Sequence, residues 1–250
     1  MKVLLMLDGR TEAGGAPLIM HNEQLADPLN DFTRQIAKVS QKRKKTDAEY
    51  LELGHLEFLG GLYTNGNGPC LPAFNVLRCL QDGAKRTKRG ADVLRGVTPL
   101  VQHVDIAYDG PRDAEEMWKA GGFALRKAVG IKQARTMRTR PIFHDWTAVI
   151  PVEVDATVFD PDTLANIWHD AGRYSGMGDM RPIYGRFKGT LTAWPLRTED
   201  KMGEAAFALA CAVRCKQIQI DDQDREDRNG SIAAILEGAI AKAKKLASKI

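Results

Sequence analysis

Apolar and polar positions along the chain follow two periods, and the places where one gives way to the other mark out its elements. Lys2–Leu7 is a short apolar run stopped by Asp8-Gly9, the pattern of a first strand. Thr11–Ala16 is a loop of small residues, and Pro17–Asn22 resumes extended character. From Leu25 to Val39 the residues Leu25, Leu29, Phe32, Ile36 and Val39 recur near helical spacing, which predicts a helix. Thr46-Asp-Ala-Glu49 carries the capping-box pattern and opens another, with Tyr50, Leu53, Leu56 and Leu59 along it and Gly60-Gly61 at its end. After the turn cluster Asn65–Pro69, Pro72 leads into a helix bearing Val76, Leu77 and Leu80. Val97–Tyr108 reads as β-structure ended by Asp109-Gly-Pro111, and Asp113–Ala120 as a short helix stopped by Gly121-Gly122.

The strongest period-two pattern runs from Arg138 to Thr157, where Trp146, Ala148 and Ile150 alternate with Thr147, Val149 and Pro151. Asp160-Pro161 is a helix start, and Leu164, Ile167, Trp168 and Ala171 share one helical face. Gly185–Trp194 then alternates like a strand, with Phe187 and Leu191 on one side. Beyond Pro195 the composition changes. Glu204–Ile218 is alanine-rich and helical, 221–230 is a charged acidic linker, and Ser231–Ile250 reads as a final helix with lysines near its C-terminus.

The unit strand–helix–glycine loop–strand from Trp146 to Trp194 is half of a ferredoxin-like or RRM-like fold. Lys2–Leu7, the helix after Pro72 and the strands around Val97–Tyr108 supply an earlier half. The expected class is therefore α+β: a ferredoxin-like/RRM-like core over residues 1–197 with helical insertions around 25–95, and a helical C-terminal extension over 198–250. That architecture hosts many functions and decides none by itself.

Between that helix and strand lies Ala171–Phe187, which packs Gly172, Gly176, Gly178 and Gly185 together with Arg173, Arg181 and Arg186. Glycine lets a backbone take positive φ and approach a ligand closely, and arginine is the usual partner for phosphate. No Gly-Lys-Ser or Gly-Lys-Thr follows, and the helix precedes the glycines, so neither the P-loop nor the dinucleotide fingerprint fits. No nucleotide cofactor is expected.

Charge adds to this picture. The 250 residues carry a net charge of +4, with pI near 8.8, which is mildly basic and permits a polyanionic partner. The cations are clustered: Lys42, Arg43, Lys44 and Lys45 form one run, and Lys85, Arg86, Lys88 and Arg89 another. A third series comprises Arg126, Lys127, Lys132, Arg135, Arg138 and Arg140, of which Arg138 and Arg140 share a strand face. Facing one groove, these would neutralise phosphates and make affinity strongly salt-dependent. Phe143, Tyr174, Tyr184 and Phe187 are the nearest aromatic candidates for base stacking. The plain alternative is that each basic run is a solvated surface and each aromatic belongs to the core.

Two stretches carry a resemblance. The run Gly-Met-Gly-Asp-Met-Arg-Pro-Ile-Tyr-Gly-Arg-Phe187, set between helix and strand, resembles the C-terminal glycine-rich loop of the RAMP proteins, the RRM-like backbone subunits of CRISPR effector complexes. Gly68–Arg78, a proline-led helix start with an early arginine, is similar to the element those subunits place before a helix that contacts guide RNA. Met20–Pro28, Lys42–Asp47, Gly60–Tyr63 and Asp109–Asp113 also resemble a family of bacteriophage proteins. The sequence departs from the RAMP pattern where Pro182-Ile-Tyr184 interrupts the end of the loop. The resemblance implies a non-enzymatic protein of the bacterial host cytoplasm that binds single-stranded RNA or DNA and polymerises along it. Gly176, Gly178 and Gly185 would let the loop approach phosphate, Arg181 and Arg186 would supply charge-assisted hydrogen bonds, and Arg78 of the proline-led helix start would add a further contact. The other readings are a phage structural or host-interaction protein, and a metal-dependent nuclease built on Asp179 and His144.

Catalysis has thinner support. His21, His55, His103, His144 and His169 show no HExxH or comparable metal spacing, and no Gly-x-Ser-x-Gly elbow occurs. Cys70, Cys79, Cys211 and Cys215 form no CxxC pair and read as small buried thiols, so no metal is expected. Met1–Leu7 is too short for a signal peptide and meets Asp8-Gly9 at once, and no apolar run has membrane-spanning length, so neither a leader nor a membrane partner is expected.

Overall fold

The computed structural model describes residues 1–131 and 134–193. Lys132, Cys211, Cys215, the acidic linker 221–230 and the helices expected after residue 198 lie outside the described residues. In chain order the elements begin with β1 (Lys2–Asp8), β2 (Leu18–Ile19), α1 (Asp31–Ser40), α2 (Asp47–Gly61), β3 (Cys70–Pro72) and α3 (Ala73–Ala84). They continue with α4 (Gly90–Gly96), β4 (Val97–Pro99), β5 (His103–Ala107), α5 (Ala114–Ala120) and β6 (Ala124–Ile131). The remainder are β7 (Ala134–Phe143), β8 (Thr147–Val154), α6 (Pro161–Asp170) and β9 (Lys188–Ala193). The chain is thus mixed α+β with antiparallel sheets.

Local chemistry sets most of the helix boundaries. Thr46 and Glu49 close the full capping box of α2, and the Asp113 and Asp160 side chains accept from the first turns of α5 and α6. The helix expected from Leu25 starts later. Asp27 precedes Pro28 and is held extended, Glu23–Ala26 forms a separate 3₁₀ turn, and Asn30 caps α1 by accepting from the Phe32 N–H. Val97–Tyr108 is likewise two strands, because the chain leaves the sheet after Pro99 and rejoins it at His103.

The apolar run β1 lies inside the larger sheet, antiparallel to β8 on one side and β9 on the other. The sheet order is β3-β5-β8-β1-β9, and β4 also pairs with β8. Leu5 lies opposite Ile150 and Val3 opposite Val152. Their side chains join Val76 and Leu80 of α3 and Leu164, Ile167 and Trp168 of α6 in the main core. The two helices meet closely: a Cβ on Gly83 would sit 2.6 Å from the Ala171 Cβ. A second sheet, β2-β7-β6, carries α2 across β7. There Glu57 is buried and accepts both from Arg138 and from the Thr139 N–H at 2.7 Å.

Among the described residues β6 is the longest of three elements, with β3 and α4, that the pattern of residues did not announce. Ala124–Gly130 is exposed or half-exposed along its length, so neither face imposes an apolar period. Its ladder with β7 runs from Ala124–Pro141 to Ile131–Ala134.

Candidate nucleic-acid interface

The glycine loop begins where α6 loosens into a π-turn over Ala171–Ser175. Gly176, Gly178 and Gly185 all adopt positive φ, as their residue type predicts. The close approach they permit is to the chain's own backbone. A Cβ on Gly178 would lie 2.2 Å from the Ile19 carbonyl oxygen, and one on Gly185 only 1.7 Å from that of Met177. The loop amides are spent on the same contacts: Met177 N–H donates to Gly185 O at 2.7 Å, Gly185 N–H to Pro17 O at 2.7 Å, and Asp179 N–H to Ile19 O at 2.8 Å. Gly176 N–H donates back to Ala171 O at 2.9 Å. The glycines therefore clasp residues 17–19 and shape the loop. This corrects their expected role in approaching phosphate.

What the loop presents outward is Arg181. Its guanidinium reaches Asp82 of α3 at 3.4 Å and the Gly176 carbonyl at 3.4 Å. The same carboxylate receives Lys85 at 2.6 Å and Arg78 at 3.6 Å. Burial alone would push the Asp82 carboxyl up, but the Lys85 hydrogen bond and the charges of Lys85, Arg78 and Arg181 outweigh it and hold it below its ordinary value. Beside this cluster Arg86 meets Asp170 at 3.5 Å and lies 4.0 Å from the Tyr174 ring centroid, with Arg173 against the same ring at 5.4 Å. Tyr174 is 44% exposed. Arg78, Lys85, Arg86, Arg173 and Arg181 thus surround two carboxylates, leaving the patch clearly positive. Lys88, exposed in a left-handed turn, has no ion-pair partner among the described residues.

The other flank of the loop meets the β6–β7 hairpin. Lys127 lies 3.3 Å from the Tyr184 hydroxyl and 4.8 Å from its ring centroid. Arg126 and Arg135 are exposed on the same hairpin, and no Asp or Glu occurs between Met117 and His144. Ile183, between Arg181 and Tyr184, is 74% exposed. The loop therefore connects two positive surfaces through an apolar and aromatic tip.

Other expected residues are placed elsewhere. Arg138 pairs with buried Glu57, and Arg140 meets Asp179 at 3.1 Å. Both arginines are tied into the second sheet and the loop, so they do not extend a groove with Lys85. Arg89 bridges Asp92 and the Val158 carbonyl over the Phe159 ring, a structural role. Lys42 pairs with Glu49 at 2.5 Å, and Lys45 donates to the Ser40 and Lys42 carbonyls at the end of α1. With Arg43 and Lys44 they belong to the α1–α2 turn, on the side of the second sheet. Arg186 is exposed, while its carbonyl accepts from the Ala16 N–H. Phe143 and Phe187 are core residues and are not available for stacking. The spacing of Asp82 from Arg78 and Lys85, four and three positions along, is visible in the sequence; its contact with Arg181, across 99 residues, is not.

No protein-family model matches the chain, and no curated protein matches it by sequence. Among the described residues no three His, Cys, Asp or Glu side chains are grouped to hold a metal, and no helix is long and apolar enough to cross a membrane. Asp179, a candidate for metal chemistry, accepts from Arg140 and from the Met180 N–H.

Proposed function

We propose that this protein binds single-stranded nucleic acid without performing chemistry on it. The strand would run across the glycine loop, from the α3–α6 patch to the β6–β7 hairpin. One observation carries the reading: loop residue Arg181 joins Arg78 and Lys85 around a single carboxylate, with Arg86 stacked on exposed Tyr174 alongside. Partly solvated cations interleaved with a half-exposed aromatic suit a phosphate backbone and the face of a base. Such surface ion pairs contribute little to stability, so their charge is available to a ligand.

An RRM-like core belongs to this proposal. It is supported by the antiparallel order β4/β5-β8-β1-β9 and by α3 and α6 joining one core with those strands. Relationship to RAMP subunits, phage origin, work in the bacterial host cytoplasm and polymerisation along the strand extend the same reading. The test is fluorescence anisotropy with labelled single-stranded RNA and DNA over a salt series. Arg86→Ala and Arg181→Ala should each weaken binding and flatten the log–log salt slope by about 0.7 for each phosphate no longer neutralised. Absence of binding at low salt would sink the proposal.

A second reading, contact with protein, is favoured by an apolar groove of about 420 Å³ lined by Ala73, Phe74, Leu77, Pro99, Leu100 and Val101. Phe74 is 69% exposed there. Co-purification of a protein that survives nuclease treatment would support it.

A further inference from the structure

We propose that Asp82 is an internal competitor for the phosphate site: its carboxylate occupies the cation cluster in the free protein and is displaced by a backbone phosphate of the bound strand. The inference rests on the nucleic-acid reading above and concerns how that same surface is regulated. Three cations from separate places converge on this one group. Arg78 lies one turn before it on α3, Lys85 follows the helix end, and Arg181 comes from the glycine loop. Two of the three positive charges are left uncompensated, and the side chains of Arg78 and Lys85 are each about half exposed. The Arg181 contact at 3.4 Å and the Arg78 contact at 3.6 Å are long for charge-assisted bonds, whereas Lys85 is tight at 2.6 Å. The arginines therefore retain donors for a second anion.

The position of Asp82 points the same way. It lies in the last turn of α3, at the negative end of the helix dipole, where a carboxylate is disfavoured and a lysine or arginine would be favoured. Its neighbouring cations are what make the carboxylate tolerable there. A phosphodiester carries one negative charge, as the carboxylate does, and also offers oxygens to which Arg181 can bond bidentately. In exchange, Asp82 turns toward solvent, which its side chain already reaches at 21% exposure. The contact sets a threshold: polyanions whose adjoining phosphates also engage Arg86 and the hairpin displace it, and isolated anions do not.

The test compares wild type with Asp82→Asn in the full chain, titrating labelled single-stranded RNA and DNA by anisotropy. Freeing the cluster of its internal anion should release about one further counterion on binding. Affinity should then rise about eightfold near 0.05 M salt, with a salt slope steeper by about 0.7. Arg181→Ala introduced into the Asp82→Asn chain should remove most of that gain. Unchanged or weaker binding by a folded Asp82→Asn protein overturns the proposal and makes Asp82 an organiser of the site. A second measurement needs no variant. The Asp82 carboxyl ¹³C resonance of wild-type protein is titrated with and without bound strand, and displacement predicts that its depressed pKa moves upward in the complex. A pKa that stays depressed in the complex overturns displacement even if Asp82→Asn fails to fold. If wild type does not bind any strand, the parent reading falls and takes this one with it. If wild type binds and either measurement goes the wrong way, only the displacement falls.

Discussion

Replacing Gly185 by alanine separates a structural loop from a ligand-cradling one. Gly185 sits at φ +70°, and the added Cβ would lie 1.7 Å from the Met177 carbonyl oxygen and 2.7 Å from its carbon. The left-handed conformation costs an alanine about 1–2 kcal/mol. The clash is with backbone, so it cannot be relieved by turning a flexible side chain. Relief requires the Met177–Gly185 pair to separate, which breaks the Met177 N–H bond to Gly185 O and strains the Gly185 N–H bond to Pro17 O. Two such hydrogen bonds are worth about 1 kcal/mol each. The sum, about 3–4 kcal/mol, is a large share of a typical total stability of about 5–15 kcal/mol. For a folded unit of this size it corresponds to a fall in Tm of roughly 10 °C. Gly130→Ala is the control, since nothing lies within 4 Å of its added Cβ; it should change stability by less than about 0.5 kcal/mol. Thermal unfolding followed by circular dichroism reads both. A Gly185→Ala protein with the wild-type Tm but reduced affinity for nucleic acid would refute the structural account and restore a phosphate-approach role.

Two further outcomes follow from groups within the fold. Glu57→Gln removes the charge that buried Glu57 sets against Arg138, whose side chain is 26% exposed. Because water reaches that arginine, the loss should be about 2–3 kcal/mol, below the range for a fully buried broken pair, and should appear as a lower urea midpoint with an unchanged m-value. A change under about 0.5 kcal/mol would show that the pair does not hold α2 to the second sheet. His21 is an exposed residue whose ring is nonetheless partly desolvated by its neighbours; that desolvation first, and the Arg140 charge second, lower its pKa, so the folded state binds its proton less readily than the unfolded chain does. The contribution is therefore fully present above the ordinary histidine value near 6.5 and is lost as pH falls below it toward the lower folded value. Urea unfolding at mildly acid and neutral pH should show a decline that His21→Gln reduces, and an equal decline in both proteins would refute the assignment.

Elements whose cause is local were legible in the residues. The capping box at Thr46–Glu49, the Asp160-Pro161 start of α6 and the Asp8-Gly9 stop of β1 all appear where side chains predict them. The helix expected from Leu25 begins only at Asp31, because its apolar spacing continues through Asp27-Pro28, where the local proline rule outweighs the period. The β6 strand was invisible for the opposite reason. It is held by its ladder to β7 rather than by a buried face, and so leaves no alternation to read. For the candidate site, the residue types were visible and their partners were not. Arg138 and Arg140 look like free cations in one row until Glu57 and Asp179 are seen against them. Phe143 and Tyr174 are both aromatic residues beside basic segments, yet one is fully buried and the other is 44% exposed.

By itself, then, the sequence determined the chain's secondary-structure grammar, its surplus of cations and the need for glycine between α6 and β9. Each of these depends on residues within a few positions of one another, through caps, periods and backbone sterics. Tertiary structure alone decided which charges remain available. It spends the Asp179 and Gly185 amides on residues 17–19, ties Arg138 and Arg140 to acids from α2 and the loop, and brings Arg181 to Arg78 and Lys85 around Asp82. Those choices depend on which segments the two sheets and the α3–α6 contact bring together. Contacts between residues this far apart in the chain, 39 positions for Arg140 and Asp179 and 99 for Arg181 and Asp82, are set by packing of the whole core, which no local pattern encodes.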